Sequence, residues 1–158
     1  MGELVIGPED PRTADVVELL ARHLAFANEH SPPEDVHALD VDGLVDPAIT
    51  FCTARRGGDL LAVGALKRLD AHHAELKSMH TSAAARRQGV ARTMLGHLLD
   101  LARRDGYRQV SLETGSMEAF APARTLYTSF GFTVCPPFGG YGDSPNSTCM
   151  TLALDEPG

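Results

Sequence analysis

Apolar residues follow a helical period in two stretches of the chain. In the first stretch they lie three to four residues apart and predict a helix that runs to about Asn28, where Pro32 and Pro33 break the pattern. The second stretch lies in the middle of the chain and predicts the clearest amphipathic helix, which ends near Gly106. A third, short helix is predicted at Pro122–Phe130. The apolar positions of the two long helices are Val16, Leu20, Leu24 and Ala27, then Val90, Met94, Leu98 and Leu101.

Shorter β-rich runs between these helices predict the strands of a sheet. Glycine-rich turn chemistry at 57–59 joins the second and third strands into a hairpin. Strand, glycine-rich turn, helix and strand then follow one another, which predicts a parallel crossover. We therefore expect an α+β fold with a central mixed, mostly antiparallel twisted sheet of about six or seven strands flanked by helices. The predicted strands are Leu4–Ile6, Ile49–Arg55, Leu60–Leu69, Ala74–Thr81, Arg108–Glu113, Phe132–Val134 and Cys149–Leu154.

The strand that ends at Thr81 carries polar side chains on both of its predicted faces. Successive side chains of a strand point to opposite faces, so the odd-numbered residues from Glu75 to Thr81 share one face. Met79 is therefore expected beside Glu75. His80 is expected to face away from Glu75 and to pack in the interior.

The composition indicates one globular domain over residues 1–158. With 43% apolar and 22% charged residues, the chain can bury a core without disulfides or structural metals. The formal net charge of −7 repels polyanions, so we expect neither nucleic acid nor an anionic membrane as a partner. Three cysteines without C-x-x-C spacing, and a start without a basic segment and an apolar run, favour a reducing cytoplasm over secretion.

Histidines recur every seven residues at His23, His30 and His37, which raises the question of a metal site. Pro32 and Pro33 interrupt any helix that could carry all three, so the spacing does not place them on one face. We therefore expect surface histidines and no metal site.

A basic turn at 86–91 is the strongest local indication of a binding site. It follows a predicted strand and opens the amphipathic helix, and the unpaired N–H groups at a helix start bind phosphate oxygens. Gly89 and Ala91 let the backbone approach a ligand closely, and three arginines supply positive charge in an acidic protein. The alternative for this turn alone is a solvated basic cap of the helix. The arginines are Arg86, Arg87 and Arg92.

Two motifs in the correct order give the chain a resemblance to the GNAT acetyltransferase superfamily. The first is the R-x-x-G-x-A pattern at 86–91, directly after the strand that carries E-L-K-S-M-H-T at 75–81. The second is the A-x-x-L-Y-x-x-x-G-F pattern at 123–132. The resemblance covers most of the chain and is closest to small bacterial members with an L-E-T-G stretch, here at 112–115.

The resemblance implies acetyl-CoA as the cosubstrate and acyl transfer to an amine as the reaction. In the family the strand before the first motif splays from its parallel neighbour and pairs with the pantetheine arm, and the following loop binds the pyrophosphate. An exposed strand edge can accept such an arm as it would accept another strand. Carried over residue by residue, the cofactor-binding set is Met79, His80, Thr81, Arg86, Arg87, Gln88, Gly89, Val90, Ala91, Arg92 and Tyr127.

The resemblance also implies the catalytic residues. Tyr127 matches the tyrosine that lies near the cofactor sulfur and can protonate the departing thiolate, and its alternative role is that of a core tyrosine with a satisfied hydroxyl. Glu75 occupies the position that some lysine acetyltransferases of the superfamily use as general base. Its alternative role is a structural ion pair with Lys77. Glu113, at the end of the next parallel strand, is the reserve candidate for the base.

One position departs from the family pattern. Many members have an asparagine at the start of the second motif's helix, where this chain has Phe120, so one cofactor hydrogen bond is missing or comes from elsewhere. The acceptor side is expected from the segment at 30–37 and from the loop at 136–147, which contains Tyr141.

The leading hypothesis is an N-acetyltransferase that acts on a primary amine of a small molecule by direct attack. The alternatives are a protein acetyltransferase for lysines or N-termini and a catalytically silent acyl-CoA-binding module that regulates a partner. Assembly as a homodimer is left open. Fold resemblance alone does not choose the acceptor, because specificity depends on loops that differ among proteins with the same scaffold.

Overall fold

A seven-stranded mixed sheet occupies the centre of the computed structural model, which describes residues 3–35, 41–86 and 88–154. The strands are β1 (Leu4–Pro8), β2 (Ile49–Arg56), β3 (Asp59–Arg68), β4 (His73–Thr81), β5 (Gln109–Gly115), β6 (Thr133–Cys135) and β7 (Ser147–Ala153). Their order across the sheet is β1-β2-β3-β4-β5-β7-β6, and only the β4–β5 pair is parallel within this described sheet. The predicted α+β class and the mixed sheet are confirmed.

Helices cover both faces of this sheet. They are α1 (Ala14–His30), α2 (Val41–Leu44), α3 (Val90–Arg104) and α4 (Ala121–Ser129), with 3₁₀ turns at Pro33–Asp35, Ala83–Ala85 and Glu118–Phe120. The larger core cluster packs α3 and α4 on one face, and a smaller cluster packs α1 and α2 on the other. Each predicted helix ends within two residues of its predicted end. Among the helices that the structure describes, none is both long enough and apolar enough to span a membrane.

The larger core cluster lies between α3 and the sheet. Leu98 of α3 is fully buried, and its Cδ1 atom lies 2.8 Å from the point where a Cβ of Gly64 would stand. The sulfur of Met79 lies 2.8 Å from the same point. Any side chain here would force Leu98 and Met79 to shift, so the close packing of α3 on β3 favours glycine at this position.

We expect Leu98→Ala to lower the free energy of unfolding by about 3 kcal/mol, because truncating a fully buried leucine loses its transfer free energy and leaves a cavity. Urea unfolding followed by circular dichroism measures the difference. Val134→Ala is the control, since Val134 is 73% exposed. Surface truncations of this kind change stability by less than about 0.5 kcal/mol. Equal effects of the two substitutions would contradict this description of the core.

A β-bulge interrupts β4 at Ser78, whose φ of 56° lies in the left-handed region. On either side of the bulge, Lys77 pairs with Ala65 and His80 pairs with Val63. Ala65 and Val63 belong to the core cluster on the α1 face. Lys77 and His80 therefore both lie on the α1 face, although three positions separate them.

The expected alternation along β4 is wrong beyond Lys77. His80 shares the face of Glu75, whereas we expected it to face away. Met79 packs against the larger core cluster on the α3 face, and Thr81 pairs with Ala62 of that cluster. One inserted residue reverses every later side chain, because the side-chain period of a strand is two.

β4 and β5 separate over their second halves. Pairing between these parallel strands ends at Leu76 and Leu112, whereas β4 continues to Thr81 and β5 to Gly115. The two strands therefore leave a wedge-shaped gap within the sheet. The splay that the family resemblance implied is confirmed.

Candidate active site

A cavity of about 670 Å³ occupies the gap between β4 and β5. Its walls include Val90 of α3 and Tyr127 of α4 on one face of the sheet, and His23 and Phe26 of α1 on the other. The cavity is therefore a passage through the sheet. We call the end at the start of α3 the α3 mouth, and the end between α1 and the loop at 136–147 the α1 mouth.

The α3 mouth is built from the start of a helix. Gly89 is the N-cap of α3, with a φ of 77° that favours glycine. The first hydrogen bond of the helix runs from the N–H of Thr93 to the carbonyl of Gly89 at 3.1 Å. The first N–H groups of an α-helix have no acceptor within the helix and lie at the end where the helix dipole is positive. Together with Arg86, which lines the cavity, they form a site suited to an anion.

Most of the predicted cofactor-binding residues line the cavity. Gln88 differs, because its amide nitrogen donates to the carbonyl of Ala84 at 2.9 Å and its side chain is turned into the preceding loop. Arg92 donates to the hydroxyl of Ser129 at 3.0 Å, which holds it beside the α3 mouth. Arg87 lies outside the described residues. The lining residues from the predicted set are Met79, His80, Thr81, Arg86, Gly89, Val90, Ala91, Arg92 and Tyr127.

Two buried hydroxyl groups near the end of β4 have no hydrogen-bond partner among the described residues. They are Oγ of Ser78 at the bulge and Oγ of Ser82 directly after β4. Ser78 lines the cavity, whereas Ser82 is not part of its wall. Buried polar groups in native proteins are nearly always paired, so the Ser78 hydroxyl is the one that a ligand in the gap could pair.

Tyr127 lies on α4 with its ring centroid 5.8 Å from that of Phe132. It is 7% exposed, and it lines the cavity. Burial raises the pKa of its hydroxyl well above the usual value, because the phenolate would lose hydration. The hydroxyl is therefore protonated at neutral pH, as a proton donor must be.

Glu75, Lys77 and Tyr141 form a buried cluster at the α1 mouth. Lys77 Nζ donates to Glu75 Oε2 at 3.1 Å and to Tyr141 Oη at 2.8 Å, and the Tyr141 hydroxyl donates to the same carboxylate oxygen. Glu75 is 3% exposed and lines the cavity. The ion pair with Lys77 is therefore present. The same carboxylate lines the cavity, where it could accept a proton from a ligand. On β5, Glu113 also lines the cavity and accepts a hydrogen bond from the Ser147 hydroxyl.

The contact between Tyr141 and Glu75 is the part of the site that sequence reasoning missed. The sequence places Tyr141 in the acceptor loop and predicts no partner for its hydroxyl. Burial, and then the negative charge of Glu75, raise the pKa of Tyr141 well above its usual value, so its hydroxyl remains a donor. The two residues are 66 positions apart, and the only sequence signal was an aromatic side chain in a glycine-rich loop.

His23 and His80 form a pair at the α1 mouth, with their Nδ1 atoms 3.3 Å apart. Burial lowers the pKa of each imidazole to about 4, so both rings are neutral at pH 7. The expectation of a surface histidine is therefore wrong for His23, because α1 packs it against the bulged strand. His37 lies outside the described residues. Among the side chains that the structure describes, no group of three or more ligating residues could hold a metal ion.

Four rings line the α1 mouth and are called the aromatic wall below. The centroid of the Phe26 ring lies 5.3 Å from that of Phe120, which it meets edge-on. It lies 6.5 Å from the centroid of the His80 ring. The ring of Phe120 covers Gly115 so closely that any Cβ at that glycine would collide with it. The members of the aromatic wall are His23, Phe26, His80 and Phe120.

Comparison with known proteins agrees with this architecture. The sequence model of the Acetyltransferase (GNAT) family matches residues 14–132. The uncharacterized N-acetyltransferase YsnE of Bacillus subtilis is 49% identical over 146 residues, which cover 92% of this chain and 97% of that protein. An acetyltransferase of the GNAT family from Staphylococcus aureus has the same fold, with a TM-score of 0.74, 15% identity, and coverage of 97% of this chain and 100% of that one. A GNAT family acetyltransferase from Elizabethkingia anophelis with acetyl-CoA bound gives a TM-score of 0.71, 16% identity, and coverage of 96% and 98%.

Proposed function

The chain belongs to the GNAT acetyltransferase family, and from that premise we propose that it transfers the acetyl group of acetyl-CoA to a primary amine of a small molecule by direct attack. The observation that carries this proposal is the passage through the sheet between β4 and β5. One mouth offers a helix N-terminus and Arg86 for an anion, and the other offers the carboxylate of Glu75. Two substrates entering from opposite mouths would meet at the gap.

The α3 mouth and the gap suit CoA. The N-terminal N–H groups of α3 and the Arg86 guanidinium would bind the pyrophosphate, and Gly89 keeps the backbone open to it. The unpartnered hydroxyl of Ser78 lies in the cavity wall, where it could pair with the pantetheine arm. Arg87 belongs to this proposal on its sequence position alone. The acetyl-CoA bound to the Elizabethkingia anophelis protein, which has the same fold, supports the same cosubstrate here.

In the proposed mechanism the amine nitrogen attacks the acetyl carbonyl carbon, a C–N bond forms, and the C–S bond breaks. Glu75 takes the proton that the nitrogen loses, and the Tyr127 hydroxyl gives a proton to the departing thiolate. Acetyl-CoA, when bound, supplies the activated acetyl group. Tyr141 and Lys77 hold the Glu75 carboxylate in place by their hydrogen bonds.

The state of the cysteine thiols also supports direct transfer over a covalent acyl-enzyme. Burial raises the pKa of Cys149 to about 11, so its thiol is not ionised at neutral pH and is a poor nucleophile for an acyl-enzyme. Cys52, Cys135 and Cys149 are all free thiols. We accordingly place the protein in a reducing compartment, the cytoplasm.

Gly89→Glu should weaken CoA binding by about tenfold or more, because it puts a carboxylate at the positive end of α3 where the pyrophosphate would bind. Isothermal titration calorimetry measures the dissociation constant. Gly106→Glu is the matched control, since Gly106 also has a positive φ, at 85°, but lies beyond the other end of α3. An unchanged CoA affinity in folded Gly89→Glu would place the pyrophosphate site elsewhere.

The amine acceptor is tested by a thiol-release screen. The protein is incubated with acetyl-CoA and with small monoamines, amino acids, polyamines, aminoglycosides or peptides, and CoA release is compared with acetyl-CoA alone. We expect amine-dependent release with small molecules. Faster release with peptides would favour a protein acetyltransferase, and CoA binding without release in any reaction would favour a silent binding module.

A further inference from the structure

The aromatic wall gives the α1 mouth an apolar, flat-sided surface. Its rings come from α1, from β4 beyond the bulge and from the 3₁₀ turn before α4, so three elements hold it in place. The Phe120 ring is fixed between Gly115 and Phe26. A further aromatic ring packs favourably against such rings, because the positive edge of one aromatic ring attracts the negative face of the next.

The charged groups at the α1 mouth favour one ammonium group. Two carboxylates, those of Glu75 and Glu113, line this part of the cavity. The ammonium of Lys77 is hydrogen-bonded to both Glu75 and Tyr141. Burial keeps the wall histidines His23 and His80 neutral near pH 7. A ligand with one amine matches this arrangement, because the two carboxylates exceed the Lys77 ammonium by one negative charge.

We propose that the acceptor is an arylalkylamine, a primary monoamine whose aromatic ring packs on the aromatic wall while its nitrogen reaches Glu75. This inference rests on the proposed acetyltransferase function and names the substrate class of its acceptor site. An amino acid fits less well, because its carboxylate would meet Glu75 and Glu113, and the ammonium of Lys77 already bonds a carboxylate. Phe120 would thus contact the aromatic ring of the acceptor, at a position where the family often has a polar residue.

The test compares kcat/KM for matched acceptors with saturating acetyl-CoA. 2-Phenylethylamine and ethylamine share the same reacting group and differ by the ring. We expect 2-phenylethylamine to be preferred by about tenfold or more, because burying an aromatic ring favours the bound state by at least that factor. Spermidine and glycine serve as the polycation and the amino acid, and both should react more slowly than 2-phenylethylamine.

Substitutions in the aromatic wall test whether the preference for 2-phenylethylamine over ethylamine arises there. Phe26→Ala should reduce the ratio of the two kcat/KM values by about tenfold, mainly through 2-phenylethylamine, because the ring loses a packing partner. Phe26→Leu retains most of the buried volume and should give a smaller loss of the ratio in a protein of unaltered fold. Val17→Ala on the same helix is the control, since Val17 is 39% exposed and lies outside the cavity wall.

Calorimetry with CoA distinguishes failure of the proposed acetyltransferase function from failure of the arylalkylamine inference. If CoA binds and another amine is acetylated as fast as 2-phenylethylamine or faster, the arylalkylamine inference is wrong and the acetyltransferase proposal stands. If CoA binds and no amine is acetylated, both proposals are wrong. If the preference exists but neither Phe26 variant alters it, the ring binds elsewhere and the inference is also wrong. If CoA does not bind, the proposed function fails, and the acceptor inference fails with it.

Discussion

Replacing Tyr127 by phenylalanine is expected to lower kcat by about 100-fold or more while the dissociation constant of CoA stays near the wild-type value. The substitution removes one hydroxyl and keeps the ring that packs against Phe132. Burial keeps that hydroxyl protonated, so it is poised to give a proton to the thiolate as the C–S bond breaks. Loss of an interaction that is made only in the transition state lowers kcat and leaves ground-state binding unchanged.

Steady-state thiol release measures kcat, and calorimetry measures CoA binding. Tyr107→Phe is the matched control, because Tyr107 loses the same hydroxyl at a position outside the cavity wall. Its turnover should equal that of the wild type. A Tyr127→Phe enzyme with undiminished turnover would remove Tyr127 as the proton donor and leave it as a packing residue.

Glu75→Gln is expected to lower kcat by about 100-fold at pH 6 and by progressively less as the pH rises toward about 9. The sign follows from the acceptor, since a primary amine has a pKa near 10.4, and a larger fraction is already deprotonated at higher pH. A base that removes the amine's proton is therefore needed most at low pH. The substitution keeps the size of the side chain and its position beside Tyr141.

The rate profile across pH separates the two roles of Glu75. Glu18→Gln is the control, because Glu18 pairs with Arg22 on the exposed surface of α1 and should leave the profile unchanged. A Glu75→Gln defect of constant size at every pH would assign Glu75 to the structural ion pair with Lys77. In that case Glu113, which lines the same cavity, becomes the candidate for the base.

The sequence predicted the parts of the fold that depend on local period and motif. The helical period of apolar residues in α3 predicted its buried side, and the glycine after a basic turn predicted its N-cap. The parallel β4–β5 pair followed from the order of strand, turn, helix and strand. Local patterns of this kind need no knowledge of distant contacts.

The parts that failed depend on contacts between distant residues or on one backbone irregularity. The bulge at Ser78 moved His80 to the face of Glu75, and nothing in the alternating pattern marks an inserted residue. His23 is half-buried because α1 packs it against His80 of the bulged strand, and helix spacing alone does not show that contact. Tyr141 reaches Glu75 only because its loop folds back over the sheet.

In the function that we propose, an acetyl group passes from acetyl-CoA to a small primary amine in the passage between β4 and β5. Mass spectrometry of a reaction with isotopically labelled acetyl-CoA, 2-phenylethylamine and the wild-type protein tests it directly. We expect the label in the amide of that amine, in an amount equal to the CoA released, and loss of this product with Tyr127→Phe. Label that remains in acetyl-CoA, or that appears only in free acetate or on protein lysines whichever small amine is supplied, would contradict the account.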